Sequence, residues 1–258
     1  MTTPVLVFDI ETVPDVAGLR RLHGLDATIP DAQVADMAFQ LRRQATGNDF
    51  LPLHLQRVIV ISCALTERGD SFKVWSLAGK SEGELIQRFY EGIEKYTPQL
   101  VSWNGGGFDL PVLHYRGLIH GVKAPRYWDL GEDDRDFKWN NYISRYHSRH
   151  LDLMDLLALY QGRANAPLSD LAQLMGLPGK LGMDGSEVWG AYQAGKLAEI
   201  RNYCETDVVN TYLIYLRFQL MRGVLTEARL RSQCDLVRAT LGNSPGPHWK
   251  EFLARWQA

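Results

Sequence analysis

The run Pro4-Val-Leu-Val-Phe-Asp-Ile is apolar and largely β-branched at consecutive positions, the pattern of a central strand covered on both faces, and it ends near Asp9 with Glu11 just beyond. Alternation along a strand puts Asp9 and Glu11 on the same side of the backbone. Two like charges held side by side repel, and burying them is costly unless something neutralises them, for which a divalent cation suffices. An exposed strand end would carry the same triplet at no cost. The chain is thereby directed to a layered fold whose sheet is buried on both faces, with a charge conflict to resolve at one strand end.

The remaining elements follow in an alternating order. After Pro14 a long insertion runs to about Arg57, with one amphipathic helix in which Val34, Met37, Ala38 and Leu41 are spaced for one face and Asp31 is the N-cap candidate. Arg57-Val-Ile-Val-Ile-Ser-Cys-Ala-Leu and Asp70-Ser-Phe-Lys-Val-Trp-Ser-Leu read as a hairpin joined at Glu67-Arg68-Gly69-Asp70. Ser81 opens a helix in the manner of a capping box, with Leu85, Ile86, Phe89 and Ile93 turned inward, and Pro98 stops it before a strand at Leu100 to Trp103. Asn104-Gly-Gly-Gly then turns into a helix from about Phe108 to His120, residues 121 to 150 are irregular, and the chain from Leu151 onward is mostly helical. Helices are expected at 153–160, 168–175, 186–194, 196–221 and from beyond Gly223 to about Leu241. The division is a main domain over 1–222 and a C-terminal helical extension over 223–258.

Two further groups of chemistry-bearing residues stand beside these elements. Asp109 falls at a helix start next to a strand end, where an aspartate serves equally as a cap or first-turn anion. Tyr203 and Asp207 lie one turn apart on the flank of a stripe formed by Leu197, Ile200, Cys204, Val208, Tyr212 and Tyr215. Such a pair either hydrogen-bonds on a solvated face or turns its carboxylate toward a partner in the core.

The three groups occur in a telling order: Phe8-Asp9-Ile10-Glu11-Thr12, then Asn104 to Asp109, then Tyr203 to Asp207. In this order and context the chain resembles the DEDD superfamily of 3′-to-5′ exonucleases, in the subgroup with tyrosine in the third motif. The likeness is nearest to the proofreading domain of family B DNA polymerases and to stand-alone exonucleases of that type, and it spans about Val5 to Leu220. It implies an α/β, ribonuclease H-like fold with a mixed central sheet flanked by helices. It further implies a metal-dependent enzyme that removes nucleotides from the 3′ end of single-stranded DNA and releases nucleoside 5′-monophosphates, RNA being the alternative substrate. On the same resemblance Asp9, Glu11, Asp109 and Asp207 hold two ions, and Tyr203 orients the attacking water, since a phenol of pKa near ~10 is a poor base at neutral pH. Oxygen-only ligands favour Mg²⁺ or Mn²⁺ over zinc. Thr12 and Val13 would hold the last nucleotide, with Asn104 and Phe108 on the other side, although a phenylalanine at a helix start also serves as core. A non-catalytic nucleic-acid-binding module of the same fold is the rival reading, and it predicts damage to the acidic set.

Composition narrows the remainder. Lys and Arg number 28 against 30 Asp and Glu, a formal charge of −2, so bulk charge does not drive coating of a nucleic acid. Local basic stretches exist: residues 135–150 hold Arg135, Lys138, Arg145 and Arg149 interleaved with Phe137, Trp139, Tyr142 and Tyr146. That composition suits a single-stranded nucleic-acid surface and a solvated loop pinned by aromatic anchors alike. Arg222 to Arg255 is also net basic. Asp152 and Asp155 read as a helix cap, and His147 and His150 lack a third ligand nearby for zinc. Cys63, Cys204 and Cys234 form no close pair, and no apolar run approaches the ~20 residues that cross a bilayer, so a reducing, cytoplasmic setting without a membrane anchor is expected. Any polymerase or repair partner would be a separate chain.

Overall fold

The computed structural model describes residues 3–67 and 70–257. Its elements in chain order are β1 (Val5–Pro14), α1 (Val16–His23), α2 (Asp31–Thr46), β2 (Gln56–Thr66), β3 (Lys73–Ser76), α3 (Glu82–Tyr96), β4 (Gln99–Ser102), α4 (Asp109–His120), α5 (Pro125–Trp128) and β5 (His150–Asp152). There follow α6 (Leu153–Leu157), α7 (Leu168–Leu174), α8 (Val188–Gln193), α9 (Leu197–Met221), α10 (Glu227–Gly242) and α11 (Pro247–Arg255).

The five strands form one mixed sheet in the order β3-β2-β1-β4-β5. β2 runs antiparallel to both its neighbours, whereas β4 runs parallel to β1 and β5 parallel to β4. This is the ribonuclease H-like arrangement, with helices on both faces of the sheet. Alternation in β1 divides the core: Leu6, Phe8 and Ile10 pack with Ile86 and Phe89 of α3 and Val112 and Leu113 of α4, while Val5 and Val7 pack with Val208, Val209 and Tyr212 of α9. β1 thus lies between two apolar layers, as the consecutive apolar run requires.

Several sequence expectations change in detail. β1 continues past Asp9 to Pro14, because its partner β2 pairs with it over the whole length. The register slips between Glu11 and Thr12, where Glu11 faces Val60 but Thr12 faces Val58. A bulge of this kind re-aims side chains next to it, and it lies beside the carboxylates. The insertion holds two helices rather than one. α1 escapes a periodicity reading because it is short, but Asp15 caps it by accepting from Gly18 N–H at 3.0 Å. In α2 the cap position is Pro30, with Asp31 inside the first turn, and Leu41 is exposed while Val34, Ala35 and Ala38 are buried. Ser81 does cap α3, but Glu84 reaches back to Lys80 N–H rather than to Ser81. Arg68 and Gly69 of the expected hairpin turn lie outside the described residues. α6 ends at Leu157, and an unforeseen α11 follows Gly246 with Pro247 at its start. The side chains of Leu225, Leu230, Val237, Trp249 and Phe252 from the C-terminal segment belong to the same apolar layer as Val5 and Val7.

One buried ionic junction ties the insertion to this frame. Arg116 of α4, only 2% exposed, donates to Asp15 Oδ2 at 2.6 Å, to Glu82 Oε2 and Oε1 at 2.6 and 2.8 Å, and to the His54 carbonyl at 3.2 Å. The guanidinium meets both carboxylates away from water, so removing it strands them in a dry setting. Arg116→Met is therefore expected to destabilise the protein by about 3–5 kcal/mol in urea titration. Arg88→Ala, which breaks the exposed Arg88–Glu84 pair, is expected to cost far less, because solvent screens that pair. Equal costs for the two changes would show that the junction carries no such load.

Candidate active site

Asp9 and Glu11 continue the α9-facing side of β1, since Val5 and Val7 before them and Val13 after them all pack beneath α9 or α8. The strand supplies rigidity because its other side is locked into the α3 and α4 layer. α9 crosses above, and its residues Tyr203, Cys204 and Asp207 are buried at the level of the two carboxylates. Ligand atoms of Asp9, Glu11 and Cys204 lie within 4.8 Å of one another.

Asp109 arrives from the far side of the sheet edge. Its Oδ1 accepts the Ile10 N–H at 3.0 Å, so it grips the backbone between the two carboxylates of β1. The glycine loop makes this approach feasible. A Cβ on Gly105 would come within 2.3 Å of Ser102 Oγ, and Asn104 takes a left-handed φ of 67°, which asparagine tolerates better than most residues. Asp152, at the end of β5, clamps the loop from below by accepting Asn104 N–H at 3.0 Å and Gly106 N–H at 2.8 Å. It caps α6 as expected, accepting Asp155 N–H at 3.3 Å, and this second duty to the loop was not legible from its sequence position.

Asp9 and Glu11 feel the charges of Asp109 and Asp207. Burial raises the Asp9 carboxyl well above its ordinary range, and the Asp109 and Asp207 charges raise it further. Burial does the same to Glu11, reinforced by Asp9, Asp207 and Asp109. Asp109 is pushed up to about 7, chiefly by burial, against the lowering effect of its backbone hydrogen bonds. Asp207 also reaches about 7 through burial, opposed by a hydrogen bond from Tyr203 and by the Lys180 ammonium. Burial next to these charges pushes the Tyr203 phenol upward, which removes it as a base.

Two contributors carry no signal in the sequence. Cys204, which there forms part of an apolar stripe, donates its thiol to Asp9 Oδ2 at 3.3 Å, and burial among carboxylates keeps that thiol protonated. Lys180 sits in a turn with no motif to mark it, yet its charge lowers both Glu11 and Asp207. The turn is held by Asn210 of α9, fully buried, whose Nδ2 donates to the Gly179 carbonyl at 3.0 Å.

A cavity of about 660 Å³ opens beside Glu11, and Thr12, Asn104 and Phe108 line it. Phe108 is partly buried against the core and borders the cavity as well. Val13 does not: it is buried with Val60, Val188, Ile200, Tyr203 and Cys204, because the strand turns its side chain under α9. The basic-aromatic stretch divides too. Phe137 and Tyr142 are buried, and the Arg149 guanidinium stacks 3.8 Å from the Phe137 ring centroid, whereas Trp139 and Tyr146 are each 77% exposed. His150 is buried against Ser102 at 2.8 Å and His147 accepts from Asn141 N–H, so neither shares a ligand set.

Without cations the acidic cluster opposes folding. A carboxyl whose pKa is raised in the folded state binds its proton more tightly there than in the unfolded chain, so stability is lost as pH rises from the ordinary carboxylate range near ~4 through about 7. In chelator, Asp9→Asn is therefore expected to melt above the wild type by a margin that widens from about pH 5 to about pH 8, and added Mg²⁺ is expected to close the gap by stabilising the wild type. A margin that narrows with rising pH would contradict the electrostatic account.

The chain is similar to several known proteins. A DNA polymerase of Pyrococcus glycovorans is 27% identical over 72% of this chain and 25% of its own length. The catalytic subunit of DNA polymerase epsilon from Arabidopsis thaliana is 24% identical over 83% of this chain and 9% of its own. This chain thus spans a quarter or less of the length of these polymerases. E. coli Exonuclease I, solved in complex with an oligonucleotide, aligns with 86% of this chain and 45% of its own at 14% identity and a TM-score of 0.32. The family model described as a predicted 3′-5′ exonuclease related to the exonuclease domain of PolB matches residues 48–256, and the chain belongs to that family.

Proposed function

We propose that the protein hydrolyses phosphodiester bonds at the 3′ end of single-stranded DNA, releasing nucleoside 5′-monophosphates, with Asp9, Glu11, Asp109 and Asp207 as ligands of two divalent cations, Mg²⁺ or Mn²⁺. The observation that carries the reading is the convergence of four desolvated acids from β1, α4 and α9, each raising or raised by the charge of its neighbours. A set of this kind has no structural use of its own, because it costs stability, and perturbed carboxyls in a cleft mark a site of chemistry. The donor set is carboxylate oxygen, which suits a hard cation, and the one sulfur nearby is engaged as a neutral donor to Asp9. When bound, such a pair of ions lowers the pKa of a water and offsets charge on the attacking and leaving oxygens.

The chain's own groups do the rest. Tyr203, hydrogen-bonded to Asp207, is placed to hold the attacking water rather than to deprotonate it. The water oxygen forms the new bond to phosphorus, the bond to the 3′ oxygen of the preceding nucleotide breaks, and that oxygen leaves as a hydroxyl after taking up a proton. Glu11, at the cavity wall, is within reach of the terminal 3′-hydroxyl, with Thr12 and Asn104 as further polar contacts. The Lys180 ammonium, whose charge lowers Glu11 and Asp207, supplies positive charge near the site where phosphate negative charge grows.

Incubation with 3′- and 5′-labelled single-stranded DNA and RNA, in Mg²⁺, Mn²⁺ or chelator, tests the reading. Stepwise loss of the 3′ label from DNA, abolished by chelator, is expected. Asp9→Ala is expected to lower kcat below detection while leaving the fold intact, and Tyr203→Phe to lower kcat by about tenfold or more with nucleic-acid affinity nearly unchanged. Full turnover in Asp9→Ala would overturn the assignment, and loss of affinity in Tyr203→Phe would give the tyrosine a different job.

A further inference from the structure

The cavity beside Glu11 is walled in part by the insertion that precedes β2, and the family match begins only at residue 48, close to the end of that insertion. Phe39 of α2 and Phe50, in the loop after it, border the same space as Phe108 and Trp189. The volume of about 660 Å³ falls within the ~300–1,000 Å³ usual for pockets that take a small organic ligand such as one nucleotide.

Phe50 is 54% exposed, and a lone exposed phenylalanine needs no explanation. This one is held in place. Its N–H donates to Asn48 Oδ1 at 3.1 Å and its carbonyl accepts from Arg42 Nε at 3.0 Å. The next residue, Leu51, is buried in a small apolar cluster with Leu19, Val34, Ala38 and Leu55, the insertion's own core. A polar relay then joins this loop to the strand of the acids: Thr12 Oγ1 donates to Gln56 Oε1 at 3.0 Å, and Gln56 Nε2 donates to the Leu51 carbonyl at 3.1 Å. The ring itself packs on Phe108 with centroids 5.7 Å apart and planes tilted by 54°. An apolar ring fixed on its backbone, braced on one side and open on the other, loses little entropy when a flat ligand settles on it.

We infer that the insertion is a base clamp: Phe50 is the platform on which the unpaired base of the 3′-terminal nucleotide stacks, so that the insertion restricts the enzyme to single-stranded ends. The inference rests on the proposed exonuclease function and goes beyond it by assigning a role to the insertion, most of which precedes the residues matched by the family model, with Phe50 just inside them. Aromatic stacking is tolerant of base identity, since every base presents a π-face, and a cavity sized for one nucleotide leaves no room beside the ring for the paired base of a complementary strand. The ionic junction of Arg116 with Asp15 and the His54 carbonyl gives the clamp a fixed position relative to α4 and hence to Asp109.

The test uses the full chain with Ca²⁺ in place of Mg²⁺ and an oligonucleotide carrying 2-aminopurine at its 3′ terminus. The wild type is expected to quench the probe; Phe50→Ala is expected to lose the quenching, and Phe50→Trp to restore it. In Mg²⁺, Phe50→Ala is expected to raise KM for single-stranded DNA by about tenfold, the factor that matches about 1.4 kcal/mol of lost stacking, with kcat within about twofold. The rate ratio between single-stranded and blunt duplex ends is expected to fall toward one. Phe50 is exposed, so Phe50→Ala should melt with the wild type, which separates loss of stacking from loss of fold. Unchanged quenching, KM and strand preference in Phe50→Ala, with Asp9→Ala still inactive, would overturn the clamp and leave the exonuclease reading standing. Quenching that depends on Phe50 in a protein that cleaves nothing would support the clamp and end the exonuclease reading.

Discussion

Repulsion among Asp9, Glu11, Asp109 and Asp207 is the constraint around which the molecule is arranged. Each of the four is desolvated, Asp9 and Glu11 lie in the field of the other acids, and Asp109 lies in that of Asp152. Left to itself such a cluster would push its elements apart or draw water in, and it persists because the surrounding structure over-determines it. β1 is fixed between two apolar layers, so neither Asp9 nor Glu11 can retreat without breaking core contacts. Asp109 is bound to the Ile10 N–H, and Cys204 and Tyr203 donate to Asp9 and Asp207. The local compensation is thus made of neutral donors, with the exposed Lys180 adding its charge to Glu11 and Asp207, and this leaves the carboxylates undercompensated toward the cavity.

The second ionic system has the opposite character. Around Arg116, charge is met by direct contact: two carboxylates, a carbonyl and one guanidinium, with His120 Nε2 also 2.6 Å from Glu82. The junction lies on α4 two turns beyond Asp109, and it reaches the insertion on one side and the start of α3 on the other. Burial raises the Asp15 carboxyl, but the hydrogen bond from Arg116 and the cap to Gly18 N–H outweigh it and hold it below its usual range. One network is therefore satisfied and structural, and the other is frustrated and functional. The satisfied one fixes the helix on which part of the frustrated one is mounted.

What could be read from the residues, and what could not, follows from the range of the forces involved. Alternation is local, so the shared face of Asp9 and Glu11 was legible, as was the one-turn spacing of Tyr203 and Asp207. The bulge at Glu11 and Thr12 depends on pairing with β2, some fifty residues away in sequence, and Val13, expected in the site from the family resemblance, packs beneath α9 and α8. Lys180 and Cys204 matter through fields and contacts created only by folding, with no spacing to betray them. Phe137 and Tyr142 look like stacking residues in sequence, and tertiary structure makes them core because Arg149 lies over both rings. Short elements such as α1 and α11 were missed where a cap or a terminal proline, rather than periodicity, defines them.

Net charge gives a further reason for an aromatic clamp. A chain of formal charge −2 with its carboxylates gathered in one cleft offers a polyanion little general attraction, and long-range forces oppose approach to that cleft. Binding energy for a nucleic-acid end must then come from short-range terms, of which stacking on apolar rings is insensitive to the sign of the field. Cations held by the acids would reverse the potential only in their immediate neighbourhood, where the scissile phosphate is to lie. On the proposed function, recognition and catalysis are thereby assigned to different physics within one cleft: rings from the insertion, α8 and the glycine loop take the base, and the acids of β1, α4 and α9 take the phosphate. That separation lets the acidic set keep the mutual repulsion that makes it a strong cation site without forfeiting affinity for a negatively charged substrate.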